Sequence, residues 1–77
     1  TNFSFSIPEK GMVELSVFNI KGQKVKTLLN ETMVEGNHQV EWNGTDYRDR
    51  RVSSGVYLYK LKVNGKDRLM KKCLLLK

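Results

Sequence analysis

Residues 57–63 alternate: Tyr57, Tyr59, Leu61 and Val63 are apolar or aromatic, with Lys60 and Lys62 between them and Leu58 the one apolar residue at the other parity. Side chains alternate across a strand, so this period of two sets the aromatic row on one face and the lysines on the other. Asn64-Gly65 follows at once. Both positions of a type I′ turn need positive φ, which Asn and Gly accept at least cost, so the chain reverses there into a hairpin. The returning segment, Lys66 to Leu76, carries apolar residues at both parities. Its register cannot be assigned from pattern.

The same period recurs along the chain. Phe3, Phe5 and Ile7 alternate with polar residues until Pro8, which lacks an amide donor, closes the strand. Val13, Leu15 and Val17 form a second strand, ended by a turn at Asn19-Ile20-Lys21-Gly22. His38, Val40 and Trp42 form another, ended by Asn43-Gly44 and a polar loop over residues 45–51. Residues 24–30 are ambiguous, because Val25, Leu28, Leu29 and Met33 also fit a helical stripe. The run is short and lies between turn signals at Gly22 and Gly36, which favours a strand with an irregular tail. Six or seven short strands joined by turns imply an all-β antiparallel sandwich or barrel.

With 77 residues there is room for one domain and one core. A chain this short buries about 60% of the surface its unfolded form exposes, which leaves no scaffold for a deep catalytic cleft. Cys73 is the only cysteine, so no internal disulfide forms and packing must hold the fold. No segment reaches the roughly 18 apolar residues of a membrane helix, so no transmembrane segment is expected. The chain begins directly in strand-like sequence without a signal peptide, as a fragment of a larger protein would.

Fourteen Lys and Arg face eight Asp and Glu, a net charge of +6. From Lys60 onward there are seven bases and a single acid, Asp67. Such a surface attracts anions without choosing among them. Nucleic acid is disfavoured: Tyr57 and Tyr59 share one face and Lys60 and Lys62 the other, which separates stacking from charge. His38 and Cys73 have no motif placing an acidic third group, so a structural histidine and a small apolar cysteine are expected rather than a nucleophile pair. Asn43, Asp46 and Asp49 offer oxygens, but their spacing is not that of a calcium loop, and turn formation explains them. No enzyme activity, cofactor or metal is therefore expected.

Several segments, in order, carry a resemblance. They are Ser4-Phe5-Ser6-Ile7-Pro8, Val17 through Val25, Gly36-Asn37-His38, Glu41 through Asp46, Ser53-Ser54-Gly55-Val56-Tyr57-Leu58-Tyr59, and Lys71-Lys72-Cys73-Leu74-Leu75-Leu76-Lys77. The series resembles the type A C-terminal sorting domain of the type IX (Por) secretion system. It also resembles the immunoglobulin-like domain of the flagellar hook-capping protein. The Asn-Pro-rich segment that usually precedes the first strand is absent, and Tyr47 to Arg51 is more basic than is usual.

The resemblance implies an immunoglobulin-like sandwich over residues 1–77, monomeric and attached to an upstream cargo domain. On the sorting reading it is an exported, non-catalytic signal of Bacteroidota. It passes the periplasm and is read by type IX translocon components and cut by a sortase-like protease at the cell surface. The alternatives are a hook-cap-type assembly domain and a carbohydrate-binding accessory sandwich. Lys71, Lys72 and Lys77 are the expected partner contacts, with Leu74, Leu75 and Leu76 completing the core. A strand from Met70 to Lys77 at a sheet edge would offer unpaired backbone groups to a partner sheet.

Overall fold

The structure is a computed structural model that describes residues 1–76. Six strands follow in order: β1 (Asn2–Ile7), β2 (Gly11–Asn19), β3 (Lys24–Met33), β4 (Gly36–Glu41), β5 (Gly55–Val63) and β6 (Lys66–Leu75). They form two antiparallel sheets, one of two strands in the order β1-β4 and one of four in the order β3-β2-β5-β6. No helix occurs among the described residues. The all-β sandwich expected from the alternation is the fold observed.

The core lies between the sheets and is built from the alternating rows. Val13, Leu15 and Val17 of β2 face inward with Tyr57, Leu61 and Val63 of β5, and Phe3, Phe5 and Ile7 of β1 close over them. Full burial of each such side chain contributes about 1.5–3 kcal/mol before entropy is counted. Aromatic rings join the two layers. Phe3 stacks on Tyr59 with centroids 4.1 Å apart, and the Trp42 ring meets Tyr57 edge-on at 5.2 Å.

The turns do what their residues require. Asn64 and Gly65 both have positive φ, at 52° and 79°, so the β5–β6 hairpin has the expected reversal. Asn64 also ties this hairpin to β2: its Oδ1 accepts from the Met12 amide at 3.0 Å, and its own amide donates to the Met12 carbonyl at 2.8 Å. A side chain on Gly11 would collide with the Asn64 amide group, which explains the glycine there. Between β2 and β3, Asn19 Oδ1 accepts from the amides of Lys21 and Gln23, each at 3.0 Å.

The ambiguous segment is a strand of ten residues, longer than expected. Its helix-like spacing has a cause. Opposite β2 the register slips twice, between Leu15 and Ser16 and between Val17 and Phe18. Each slip leaves one β3 residue unpaired, Leu28 and Val25 respectively. A bulge inserts a residue and resets the parity, so apolar residues three apart reach the same side of one strand.

Candidate functional site

His38 and Cys73 lie in separate sheets, each in a structural setting. His38 on β4 has its Nε2 within 2.7 Å of the Val34 carbonyl, and its ring lies 5.7 Å from that of Phe5. Cys73 is on β6, in the other sheet, half-buried opposite Tyr57. Burial pushes its thiol pKa up, away from the reactive thiolate. The structure does not join these two residues into a site.

The loop after β4 is a folded cap. Asp46 Oδ1 accepts from the amides of Arg48 and Arg50 at 2.9 and 3.0 Å, and Oδ2 accepts from Arg50 Nε at 3.2 Å. The Arg50 amide is the main reason its carboxyl pKa is lowered. Asn43 Oδ1 accepts from the Thr45 hydroxyl at 2.6 Å. Lys26 of β3 reaches in with Nζ, 2.9 Å from Thr45 Oγ1 and 3.4 Å from Asp49 Oδ1. The Trp42 indole N–H donates to the Thr45 carbonyl at 2.9 Å. Among the described residues, no three His, Cys, Asp or Glu side chains are grouped to hold a metal ion.

The aromatic side chains do not form an exposed platform. Trp42 is 1% exposed, and Tyr57 is buried with its hydroxyl donating to the Ser53 carbonyl at 2.7 Å. Tyr59 is half-buried under Phe3. The carbohydrate-binding alternative loses its best residues to the core.

In the four-stranded sheet, β6 is the outer strand that no loop crosses among the described residues. It is an edge strand paired to β5 alone. Its register places Leu74 opposite Val56, Lys72 opposite Leu58, and Lys71 opposite Tyr59. The expectation that three terminal leucines complete the core holds only for Leu75, which is buried; Leu74 and Leu76 are exposed. Alternation explains this, because consecutive residues cannot all face inward. Lys71 and Lys72 are exposed neighbours on opposite faces of the strand. Lys77 lies outside the described residues.

Two features of this edge were not anticipated. The single acid of the strand, Asp67, is held by Lys60 of β5 at 3.2 Å. Beside Lys71, a groove of about 350 Å³ opens between β6 and β1, lined by Ser4, Phe5, Ser6 and Arg68 among others. A strand-by-strand reading carries no signal for it, since β1 and β6 lie at opposite ends of the chain.

Two antiparallel sheets packed through an aromatic core define a domain of immunoglobulin-like sandwich type. Residues 2–67 match the FlgD Ig-like domain family, and the chain belongs to that family. Among solved structures, FlgD from P. aeruginosa superposes with a TM-score of 0.71 at 22% identity. The alignment covers 95% of this chain and 58% of that one, a likeness of fold. No curated protein matches the chain.

Proposed function

We propose that this chain is a non-catalytic docking module of a larger exported protein, of the hook-cap assembly kind. Membership of the FlgD Ig-like family is the observation that carries this reading. The interior is filled by side chains, the polar loop is committed to its own turns, and the open features include the β6 edge with its lysines. Such a module acts by presenting a fixed surface, and the chemistry belongs to its partners. Removing residues 1–77 from the parent protein tests this. The expected result is a parent that still reaches its compartment but no longer joins its assembly, with swimming lost where that assembly is flagellar. Unchanged assembly and unchanged delivery together would exclude a docking role.

A second reading, a type IX sorting signal, is favoured by one specific observation. The family match ends at residue 67, whereas the terminal segment Lys71 to Leu76 of the sorting resemblance lies beyond it, along the open edge. On that reading the parent without residues 1–77 is retained in the periplasm. A periplasmic reporter fused ahead of these residues should instead reach the surface or medium of a type IX-competent host. Retention of that fusion rules the sorting reading out.

A further inference from the structure

We infer that the free edge of β6, from Leu69 to Leu75, takes up an extended partner segment with two adjacent acidic residues flanked by apolar ones. The segment adds as a fifth strand to the four-stranded sheet. This inference rests on the docking reading and names the partner's chemistry.

Four observations support it. First, the edge is unoccupied: among the described residues every backbone hydrogen bond of β6 is made to β5. An unpaired edge of this kind is a template for strand addition. Second, the edge is regular. The one register slip against β5 falls between Leu61 and Lys62 and leaves Arg68 unpaired, so Leu69 to Leu75 run in unbroken register.

Third, the edge is positively charged and its charge is unspent. Asp67 is occupied by Lys60, while Lys66, Arg68, Lys71 and Lys72 make no ion pair among the described residues. Fourth, the two central lysines diverge. Lys71 stands at the groove beside Ser4, Phe5 and Arg68, and Lys72 stands on the outer face between Met70 and Leu74, which are 64% and 59% exposed. A strand laid alongside presents successive residues to these same two faces. To neutralise both lysines it needs acids at two consecutive positions. Apolar neighbours of that pair then cover Met70 and Leu74.

The same charges select against a second copy of this chain. An antiparallel pairing of two β6 edges about the middle of the regular stretch sets lysine against lysine, and like charges directly opposite are destabilising.

The test is titration of the ¹⁵N-labelled chain with a blocked nine-residue peptide of valine and threonine bearing two central glutamates. The expected result is shift changes and slowed amide exchange confined to Leu69–Leu75 and the groove. The same peptide with alternate backbone amides methylated should not bind, because it keeps the side chains but loses the strand hydrogen bonds. The double variant Lys71→Glu/Lys72→Glu should bind the glutamate peptide roughly tenfold more weakly, as expected for the loss of two exposed charge pairs. It should recover binding to a peptide with two central lysines. Binding that survives amide methylation, shift changes mapping away from β6, or no binding at millimolar peptide would each overturn the inference. None of these results touches the docking reading, which stands or falls on the deletion in the parent protein.

Discussion

The two outer strands of the four-stranded sheet, β3 and β6, are alike in length and in having a single sheet neighbour, yet they are protected by different means. Along β3 two bulges break the edge, and the capping loop crosses it: the Tyr47 amide donates to the Val25 carbonyl at 3.0 Å, and Lys26 is drawn into the loop. Along β6 nothing crosses among the described residues; one bulge, at Arg68, lies near its start, and from Leu69 to Leu75 only the lysines discourage pairing. Bulges, covering loops and edge lysines all guard sheets against unwanted partners. They differ in reversibility. A loop built into the core shuts an edge permanently, whereas a charge is removed by a partner of opposite sign. By this difference β3 is a closed edge, whereas β6 stays accessible to a partner of opposite charge.

The sharpest way to break the comparison is to remove the anchor of the closed edge. Trp42→Ala empties a fully buried site and strips the loop of its indole hydrogen bond. A loss of about 3–5 kcal/mol is expected in urea denaturation. Total stabilities of about 0.05–0.15 kcal/mol per residue leave a domain this size close to unfolded after such a loss. A loss under about 1 kcal/mol would show that the cap is not built on the core.

Asn64→Ala probes the open edge at its root. It removes a residue suited to positive φ and the bond to the Met12 amide. A loss of about 1–2 kcal/mol is expected, with β6 amides exchanging faster than those of β3. Equal acceleration in both strands would show that the two edges are not independently held.

The smallest effect comes from acid. Asp46 keeps its charge in the folded chain to a lower pH than in the unfolded chain, chiefly because of the Arg50 amide. Its stabilisation is therefore complete above the unfolded value of 3.8 and is lost as pH falls through the lower folded value. As pH drops below 3.8, exchange at the Tyr47, Arg48 and Arg50 amides should rise before exchange in β5 does. Asp46→Asn should flatten that pH dependence, and an unchanged profile would assign it to another group.

The sequence carried much of this fold because its signals are local. Tyr57 to Val63 showed its buried face directly, and Asn64-Gly65 showed its turn. Illegibility began where parity was broken or where partners were distant. Val25 and Leu28 mimicked a helix because bulges sit at both. In β6 the run Leu74-Leu75-Leu76 hid its register, which only pairing with β5 resolves. Lys71 and Lys72 were identified from composition and resemblance. That they diverge, one beside a groove shared with β1, depends on register and on the layering of the sheets. The grip of Lys26 on Thr45 and Asp49 joins residues far apart in sequence, and no local pattern announces it.

Trp42 is the only indole in the chain, and it sits at a junction of both sheets and the capping loop. Its emission is therefore a built-in optical gauge. Excitation passed on from Tyr57 should report whether the layers are together, and the colour of the emitted light whether the loop still shields the ring. Opening of the cap and collapse of the sandwich thus become separable by fluorescence in an unlabelled protein.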